Sequence, residues 1–429
     1  MQLKQAVSAS RFWSEIIARS VLINQSIDGF LHPNVSKSVD QIFVYAKHCL
    51  LTWLTPAPGW VVQIASSLIN IFALLGVFLT LFALMSVLER KILGRIQNRY
   101  GPNRVGPFGL LQPVADGIKM LIKEDIVPAR ADKLVHFMAP ILIAAAAILA
   151  LGVIPYGRNM TPFTIDGGIL FFFAVGSTTE LAVFMAGWGS NNKFSMLGAM
   201  RAIAQMISYE LPLIITVLPV VMVVGSLTPD RIVAAQAEYT FGFVPRWFVF
   251  TPWGTTAFIL FFVSGLVESN RTPFDVPEGE SEIVAGHMTE YSGFKYATFF
   301  MAEYIGMFAI TGLAATLFLG GWHSPVSALE FVPSYVWFFA KLSALLFVYI
   351  WLRGTLPRTR IDQIMNFAWK FILPMSFTCV IAAAVWHYAG RGLRGWLWSL
   401  VVIAIVYTAL SMLLDTQRKF APRVYRFAE

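Results

Sequence analysis

Charged residues are scarce in this chain: Asp, Glu, Lys and Arg make up only 13% of its 429 residues, whereas 57% are hydrophobic and the mean hydropathy is +0.66. A water-soluble all-α protein shows a polar face at a period of about 3.6 residues, which the apolar runs here lack. A transmembrane barrel requires alternating strands of about ten residues, and these are also missing. The composition therefore excludes both of these classes.

Patterns that bind metals or nucleotides are missing as well. The two cysteines, Cys49 and Cys379, lie far apart and form no CxxC pair, and the six histidines are scattered. The sequence therefore indicates no zinc or iron–sulfur site on this chain. It has no P-loop and no GxGxxG motif after a strand, so any redox cofactor is expected on another chain.

What the sequence does contain is a series of apolar runs, each close to the roughly 20 residues that a helix needs to cross a bilayer. We therefore predict an all-α polytopic membrane protein with about nine transmembrane helices. The predicted spans are 62–88, 135–155, 167–189, 203–225, 255–268, 295–319, 334–352, 366–388 and 396–414. The fifth is short unless it begins at Trp253 or continues into the loop that follows it.

The distribution of lysine and arginine predicts the orientation of these helices. If the N-terminus is outside, the loops and tail that face inside contain most of the basic residues. The outside loops contain only Arg158, Arg231, Arg246, Arg391 and Arg394, although the N-terminal extension adds basic residues on that side. The positive-inside rule then predicts an N-terminus outside and a C-terminus inside, and it explains the net charge of +8 without a nucleic-acid partner.

The first inside loop contains a segment with helical periodicity. In residues 110–123, apolar side chains recur at helical spacing while Asp116 and two lysines fall on other faces. This pattern predicts an amphipathic helix along the membrane surface. A helix that docks a soluble partner is the competing interpretation.

A second inside loop is unusually acidic. The stretch ESNRTPFDVPEGESE, residues 268–282, has five carboxylates and a single arginine, Arg271. One interpretation is a solvated loop that satisfies helix N-termini. The rigid apolar residues within it, such as Pro273 and Val276, favour a packed loop instead. Closely spaced acids in such a loop share protons and titrate together.

Several ionisable residues fall inside the predicted spans. A carboxylate in hydrocarbon costs a few kcal/mol on insertion scales, so it usually faces an interior or a water-filled path. Glu210, Glu268 and Glu303 are interpreted as members of a proton relay. For Glu180 and Lys341, a relay and a structural polar contact between helices remain equally open.

Four motifs now carry a resemblance to a known family: residues 89–124, 186–210, 268–304 and 357–374, in that order and joined by apolar spans. Together they resemble the H subunit of the proton-pumping NADH:quinone oxidoreductase, respiratory complex I, which is the mitochondrial NADH dehydrogenase subunit 1 family. The resemblance covers residues 61–375. Residues 1–60 form an N-terminal extension with an interfacial helix at most, and residues 376–429 form C-terminal membrane helices and a basic tail.

The resemblance implies a membrane-arm subunit that forms the entrance of the quinone tunnel and part of an acidic proton path. The proton-path candidates are Glu210, Glu268, Glu278, Glu280, Glu282, Glu290 and Glu303. The candidates at the tunnel are Arg90, Arg99, Asp116, Phe274 and Asp275, and those at the interface with the peripheral arm are Arg353, Arg358, Arg360 and Asp362. For the arginines, anchoring of lipid head groups is the alternative role.

The resemblance also implies the partners. The chain acts as part of a proton-translocating enzyme in a bacterial cell inner membrane, with quinone as substrate. FMN and the iron–sulfur clusters belong to partner subunits. Those partners are quinone-site and iron–sulfur subunits of the peripheral arm, small membrane subunits and antiporter-like subunits.

Two other functions are less consistent with these residues. Related membrane subunits serve ion-translocating hydrogenases, but the full set of quinone-facing motifs favours complex I. A stand-alone transporter would show paired inverted repeats, which are not visible in the sequence. The chain departs from the family pattern at Tyr100, at Ile361 and in HMTEY, residues 287–291.

Overall fold

The computed structural model describes residues 40, 42–52, 59–240, 244–277, 279–390 and 392–417. Most of the N-terminal extension, the tail after residue 417 and the site candidate Glu278 lie outside these ranges, and so does the side chain of Glu280. The chain divides into two units, Met1–Pro56 and Ala57–Glu429. The first unit contains helix α1 (Ile42–Thr52), within the stretch that was predicted to be interfacial.

The second unit is built from helices and the loops that join them. In chain order they are α2 (Gly59–Ile96), α3 (Gln112–Ile122), α4 (Lys133–Leu151), α5 (Gly168–Gly189), α6 (Lys193–Val224), α7 (Pro229–Ala234), α8 (Pro252–Glu268), α9 (Glu280–Ile283), α10 (Gly293–Phe318), α11 (Ser334–Thr355), α12 (Ile361–Phe367), α13 (Leu373–Tyr388) and α14 (Leu393–Gln417). A π-helical turn, Ala368–Ile372, joins α12 to α13. Two short antiparallel strands, β1 (Tyr239–Thr240) and β2 (Val244–Pro245), lie between α7 and α8.

The predicted all-α polytopic architecture is confirmed. Within the described ranges, eight helical segments are long and apolar enough to cross a membrane, and they coincide with every predicted span except the fifth. The fifth span is α8, which is apolar but has only 17 residues. At about 1.5 Å per residue it extends roughly 26 Å, which is slightly less than a hydrocarbon core.

Capping residues determine where several of these helices begin. Asp132 caps α4 because its side chain accepts hydrogen bonds from the backbone amides of Leu134 and Val135. Asn192 caps α6 in the same way, and α6 therefore begins ten residues before the predicted apolar span at 203. The extra turns contain polar residues that a hydropathy pattern does not count as membrane-spanning.

The spans differ in how deeply they are buried in the protein. In α10, 78% of the most apolar window is buried, whereas the corresponding share in α14 is only 6%. Helix α10 packs against α4, α8 and α11, while α14 packs mainly against α13. The apolar part of α10 therefore lies at the centre of the helix bundle, and α14 lies at its edge.

The predicted surface helix is present as α3. Val114, Ile118 and Leu121 are exposed along one side of it. On another side, Asp116 accepts a hydrogen bond from Arg90 of α2 at 2.7 Å. This arrangement leaves the apolar side of α3 available to lipid or to a partner.

Candidate functional site

Two carboxyl groups meet between α5 and α6. Glu180 lies within hydrogen-bonding reach of Glu210, and the hydroxyl of Ser177, one turn earlier on α5, donates to Glu210. Two carboxyl groups can share a hydrogen bond only when one of them holds a proton. The pair can therefore store a proton and exchange it between two helices.

The carboxyl group of Glu268 lies near this pair, at the C-terminal end of α8. It interacts electrostatically with both Glu210 and Glu180. A Cβ atom added at Gly176 of α5 would lie 3.9 Å from its Oε1 atom, so the Glu268 carboxyl group lies beside this turn of α5. The Oε2 atom of Glu268 is buried and has no hydrogen-bond partner among the described residues.

Glu268 and Glu303 line one cavity, although they lie on different helices. The cavity has a volume of about 80 Å³ and is formed by α4, α5, α6, α8, α10 and the loop before α10. Its wall is apolar apart from these two acids and a few polar residues, which include Asn270 and His287. The structure thus brings together acids of α5, α6, α8 and α10 around the centre of the bundle.

The acidic loop is packed, as its prolines and apolar residues indicated. Pro273, Val276 and Pro277 are buried. The side-chain amide of Gln205, on α6, donates to the carbonyl oxygens of Val267 and Phe274, each at 2.9 Å. The loop is therefore held against α6 by side chains as well as by apolar contact.

Two other acids of this region face different surroundings. Glu282 is exposed and pairs with Arg201 of α6 at 2.7 Å, and this arginine lowers the pKa of the Glu282 carboxyl group. The Oε1 atom of Glu290 accepts a hydrogen bond from the Asn192 side chain at 2.5 Å. These two acids therefore contact α6 near its N-terminal turns and lie outside the lining of the central cavity.

The tunnel candidates divide into two groups. Arg90 and Asp116 form an ion pair at 2.7 Å, which joins α2 to α3. Partial burial acts to raise the pKa of Asp116, but hydrogen bonds from Arg90 and Gln112 and the charge of Arg90 hold it below its usual value. Arg99 is exposed and its Nε atom donates to Gln97 at 2.8 Å, away from that pair.

The interface candidates are also in different surroundings. Arg358 is exposed, and its guanidinium donates to the backbone oxygen of Asp275 in the acidic loop. Arg360 and Asp362 are exposed at the start of α12, where a negative charge suits a helix N-terminus. Arg353, in contrast, is turned inward and pairs with Glu89 of α2.

Comparison with known proteins identifies the family. A family described as NADH dehydrogenase matches residues 69–384 of the chain. This chain belongs to the NADH dehydrogenase family. It is 45% identical over 339 residues to the H subunit of NADH-quinone oxidoreductase from Geobacillus kaustophilus, an alignment that covers 78% of this chain and 97% of the relative.

Other relatives in the NADH dehydrogenase family carry the same name. The H subunit from Dehalococcoides mccartyi is 46% identical over 74% of this chain and 86% of its own length. The H subunit from Paraburkholderia xenovorans is 45% identical over 75% of this chain and 91% of its own length. The matched part of the chain includes the acids around the cavity, the acidic loop and the arginines of the tunnel and interface candidates.

One buried charge cluster in this family member was not predicted from the sequence. Glu89 is only 5% exposed, pairs with Arg353, and lies 3.7 Å from the Nη1 atom of Arg271. Tyr304 donates a hydrogen bond to it at 2.5 Å, and the Arg271 guanidinium lies 3.9 Å from the centre of the Tyr304 ring. The rule for acids in hydrocarbon would have found Glu89 if the first span had been extended by one residue.

Lys341 makes contacts that favour a structural role. Its ammonium group donates to the backbone oxygens of Leu319, Gly321 and His323, at distances from 2.6 to 2.8 Å. It also lies 4.1 Å from the centre of the Trp247 ring. All three donors are thereby used by carbonyl groups at and just beyond the C-terminal end of α10, which is a favourable position for a cation.

Proposed function

We propose that this membrane subunit of NADH-quinone oxidoreductase forms the entrance of the quinone tunnel and part of the acidic path that couples quinone reduction to proton translocation. The relatives of this chain are named as the H subunit of that enzyme. The observation that carries the proposal is the central cavity, where Glu268 and Glu303 face the same space beside the Glu180–Glu210 pair.

The chemistry of quinone reduction suits such a set of acids. Reduction of a quinone to a quinol consumes two electrons and two protons. The electrons come from partner subunits, which carry FMN and iron–sulfur clusters. When one carboxyl group of an interacting set gives up a proton, its charge changes the proton affinity of the others. A change at the acidic loop is thereby passed to Glu268, and from it to Glu210 and Glu180.

The acidic loop supplies the connection between the quinone and the cavity in this proposal. Its first residue, Glu268, lines the cavity, while Phe274 and Asp275 lie in the part held by Gln205 and Arg358. Glu278, Glu280, Glu282 and Glu290 are the remaining acids of the proposed path. Arg201 and Arg358 hold this loop at Glu282 and at the backbone of Asp275.

The tunnel entrance is assigned to α2, α3 and the loop between them. A quinone carries a polar head on an apolar tail, so an entrance needs polar contacts beside a surface open to lipid. The exposed apolar side of α3 and the Arg90–Asp116 pair provide both features on one helix. Arg99 is placed in the same loop and contributes positive charge to it.

The remaining cluster is assigned to subunit contacts. Arg358, Arg360 and Asp362 are exposed on one short stretch, which suits an interface with the quinone-site and iron–sulfur subunits of the peripheral arm. Small membrane subunits and antiporter-like subunits contact the outer faces of the helices. The chain is a multi-pass membrane protein, and because the relatives are bacterial we assign it to the bacterial cell inner membrane.

Replacing the carboxyl groups tests this proposal. Glu210→Gln, Glu268→Gln and Glu303→Gln are each expected to lower quinone reduction and proton pumping together, by about ten-fold or more, because a positioned acid or base contributes at least that much. NADH oxidation by ferricyanide is expected to stay unchanged, because ferricyanide takes electrons on the peripheral arm.

Glu238→Gln is the matched control, since Glu238 is exposed and pairs only at the surface, with Arg246. Native gels show whether each variant complex assembles. Wild-type quinone reduction and pumping in all three assembled variants would defeat the proposed proton path.

A further inference from the structure

His287 lies in the wall of the central cavity, in the stretch HMTEY that follows the acidic loop and departs from the family pattern. Its side chain is only 1% exposed, and its Nδ1 atom is buried without a hydrogen-bond partner among the described residues. A buried imidazole nitrogen without a partner costs free energy, so its position requires an explanation. The neighbouring space suggests one, because His287 lines the same cavity as Glu268 and Glu303.

The backbone around His287 is held firmly in place. It belongs to a 3₁₀ turn, Gly286–Met288, which packs directly on α6. A Cβ atom at Gly198 would lie only 2.5 Å from the Cα atom of Gly286, so only a glycine allows this approach. Ser195 also donates a hydrogen bond to the His287 carbonyl oxygen at 3.1 Å. The turn is thereby attached to α6 at two points.

The imidazole ring is fixed as well. It meets the ring of Phe299 edge to face, with 5.7 Å between ring centres. Burial lowers the pKa of His287 to about 4, so the imidazole is neutral at physiological pH. A neutral imidazole has one nitrogen that donates and one that accepts a hydrogen bond. It can therefore take up a proton at one nitrogen and release one from the other without a lasting charge.

We infer that His287 is a third proton-relay residue of the central cavity, and that it passes protons between Glu268 and Glu303 through water held there. The inference rests on the proposed function. The cavity of about 80 Å³ is large enough for a few water molecules, because one water needs about 10–15 Å³ of volume open to its centre. Among the described residues that line the cavity, Glu268 and Glu303 are the only charged side chains, because α4, α5 and α6 contribute apolar or neutral polar ones.

The proton balance of the relay is simple. A proton leaves one carboxylic acid and reaches the accepting nitrogen of His287 along water held in the cavity. The proton on the other nitrogen leaves in the same step and reaches the second carboxylate. One acid is deprotonated, the other is protonated, and the imidazole ends in its other tautomer. A later exchange of protons with water restores the first tautomer.

His287→Phe is the decisive variant, because phenylalanine keeps a ring against Phe299 and removes both nitrogens. In the assembled complex we expect quinone reduction and pumping to fall about ten-fold, with a larger solvent deuterium isotope effect on quinone reduction. Met288→Leu is the matched control. Met288 is buried on the same turn and does not line the cavity, and this swap conserves volume.

A double variant separates a relay from a packing role. If His287 and Glu303 act on one path, His287→Phe adds little to the loss already caused by Glu303→Gln. Wild-type turnover, pumping and isotope effect in His287→Phe, beside impaired Glu268→Gln and Glu303→Gln, would overturn the role of His287 and leave the acidic path in place. If the two glutamine variants are themselves unimpaired, the proposed function fails first.

Discussion

Single charged residues in this molecule differ mainly in whether their surroundings neutralise them. Glu238 and Arg246 form an ion pair in which both side chains are largely exposed. Glu89 is instead enclosed by Arg353, Arg271 and Tyr304. Exposed pairs contribute about 0–1 kcal/mol, whereas removing one partner of a buried pair typically costs about 3–5 kcal/mol. We therefore expect replacement of Glu by Gln to affect the stability differently at Glu238 and at Glu89.

Glu89→Gln is expected to lower the thermal stability of the assembled complex, by about 3–5 kcal/mol, because it leaves two arginines facing a neutral side chain. The measurement is thermal inactivation of the detergent-solubilised complex, together with the amount of complex on native gels. Glu238→Gln is the control and is expected to change neither. Equal stability of the two variants would show that the Glu89 cluster does not stabilise the protein.

At the scale of elements, the two ends of α10 are held by different means. Its N-terminal end follows the acidic loop, which contacts α6 through Gln205, and the turn at His287, which contacts α6 through Ser195. Its C-terminal end is held by Lys341 of α11 and by Gln236, whose side-chain amide donates to the carbonyl oxygens of Thr316 and Leu317. These contacts satisfy carbonyl groups that a helix end leaves without intrahelical partners.

Lys341→Met is expected to weaken this end of α10. The change removes three charge-assisted hydrogen bonds, each of which typically contributes about 1.5–3 kcal/mol, although partial resolvation reduces the sum. We expect a lower thermal inactivation temperature and an unchanged number of protons pumped per electron. Lys193→Met is the control, because Lys193 is exposed. A stable Lys341→Met complex that reduces quinone without pumping would instead make Lys341 part of the relay.

Sequence patterns predicted the helices more accurately than they predicted the contacts between side chains. The spans were visible because each needs about 20 apolar residues whatever it packs against. The start of α6 was misplaced because its first turns are polar and depend on the cap at Asn192. Glu89 was missed because nothing in its local sequence shows that Arg271 and Arg353 reach it from other parts of the chain.

At the scale of the whole molecule, the orientation in the membrane is still a prediction. The loop between α2 and α4 is rich in basic residues, whereas the loop between α4 and α5 has only Arg158. The positive-inside rule places the first loop in the cytoplasm and the second outside. The same rule places the C-terminal tail inside.

Labelling of single cysteines tests this orientation. In a Cys49→Ser background, Asn159→Cys is expected to react with a membrane-impermeant maleimide in spheroplasts. Asn103→Cys is expected to react only after the membrane is opened, and both asparagines are exposed in the structure. Cys379 is buried and is not expected to react. The opposite labelling pattern would reverse the assigned orientation of every helix.

The sequence by itself determined the class of the protein, the approximate spans, the surface helix and the family. These depend on composition, on periodicity and on motifs, all of which are local along the chain. Only the tertiary structure decided which charged side chains contact each other. It placed Glu268 and Glu303 on one cavity, enclosed Glu89 between two arginines and put His287 in the cavity wall. The physical reason is that helix packing joins residues far apart in sequence, and burial then decides what each charge must pair with.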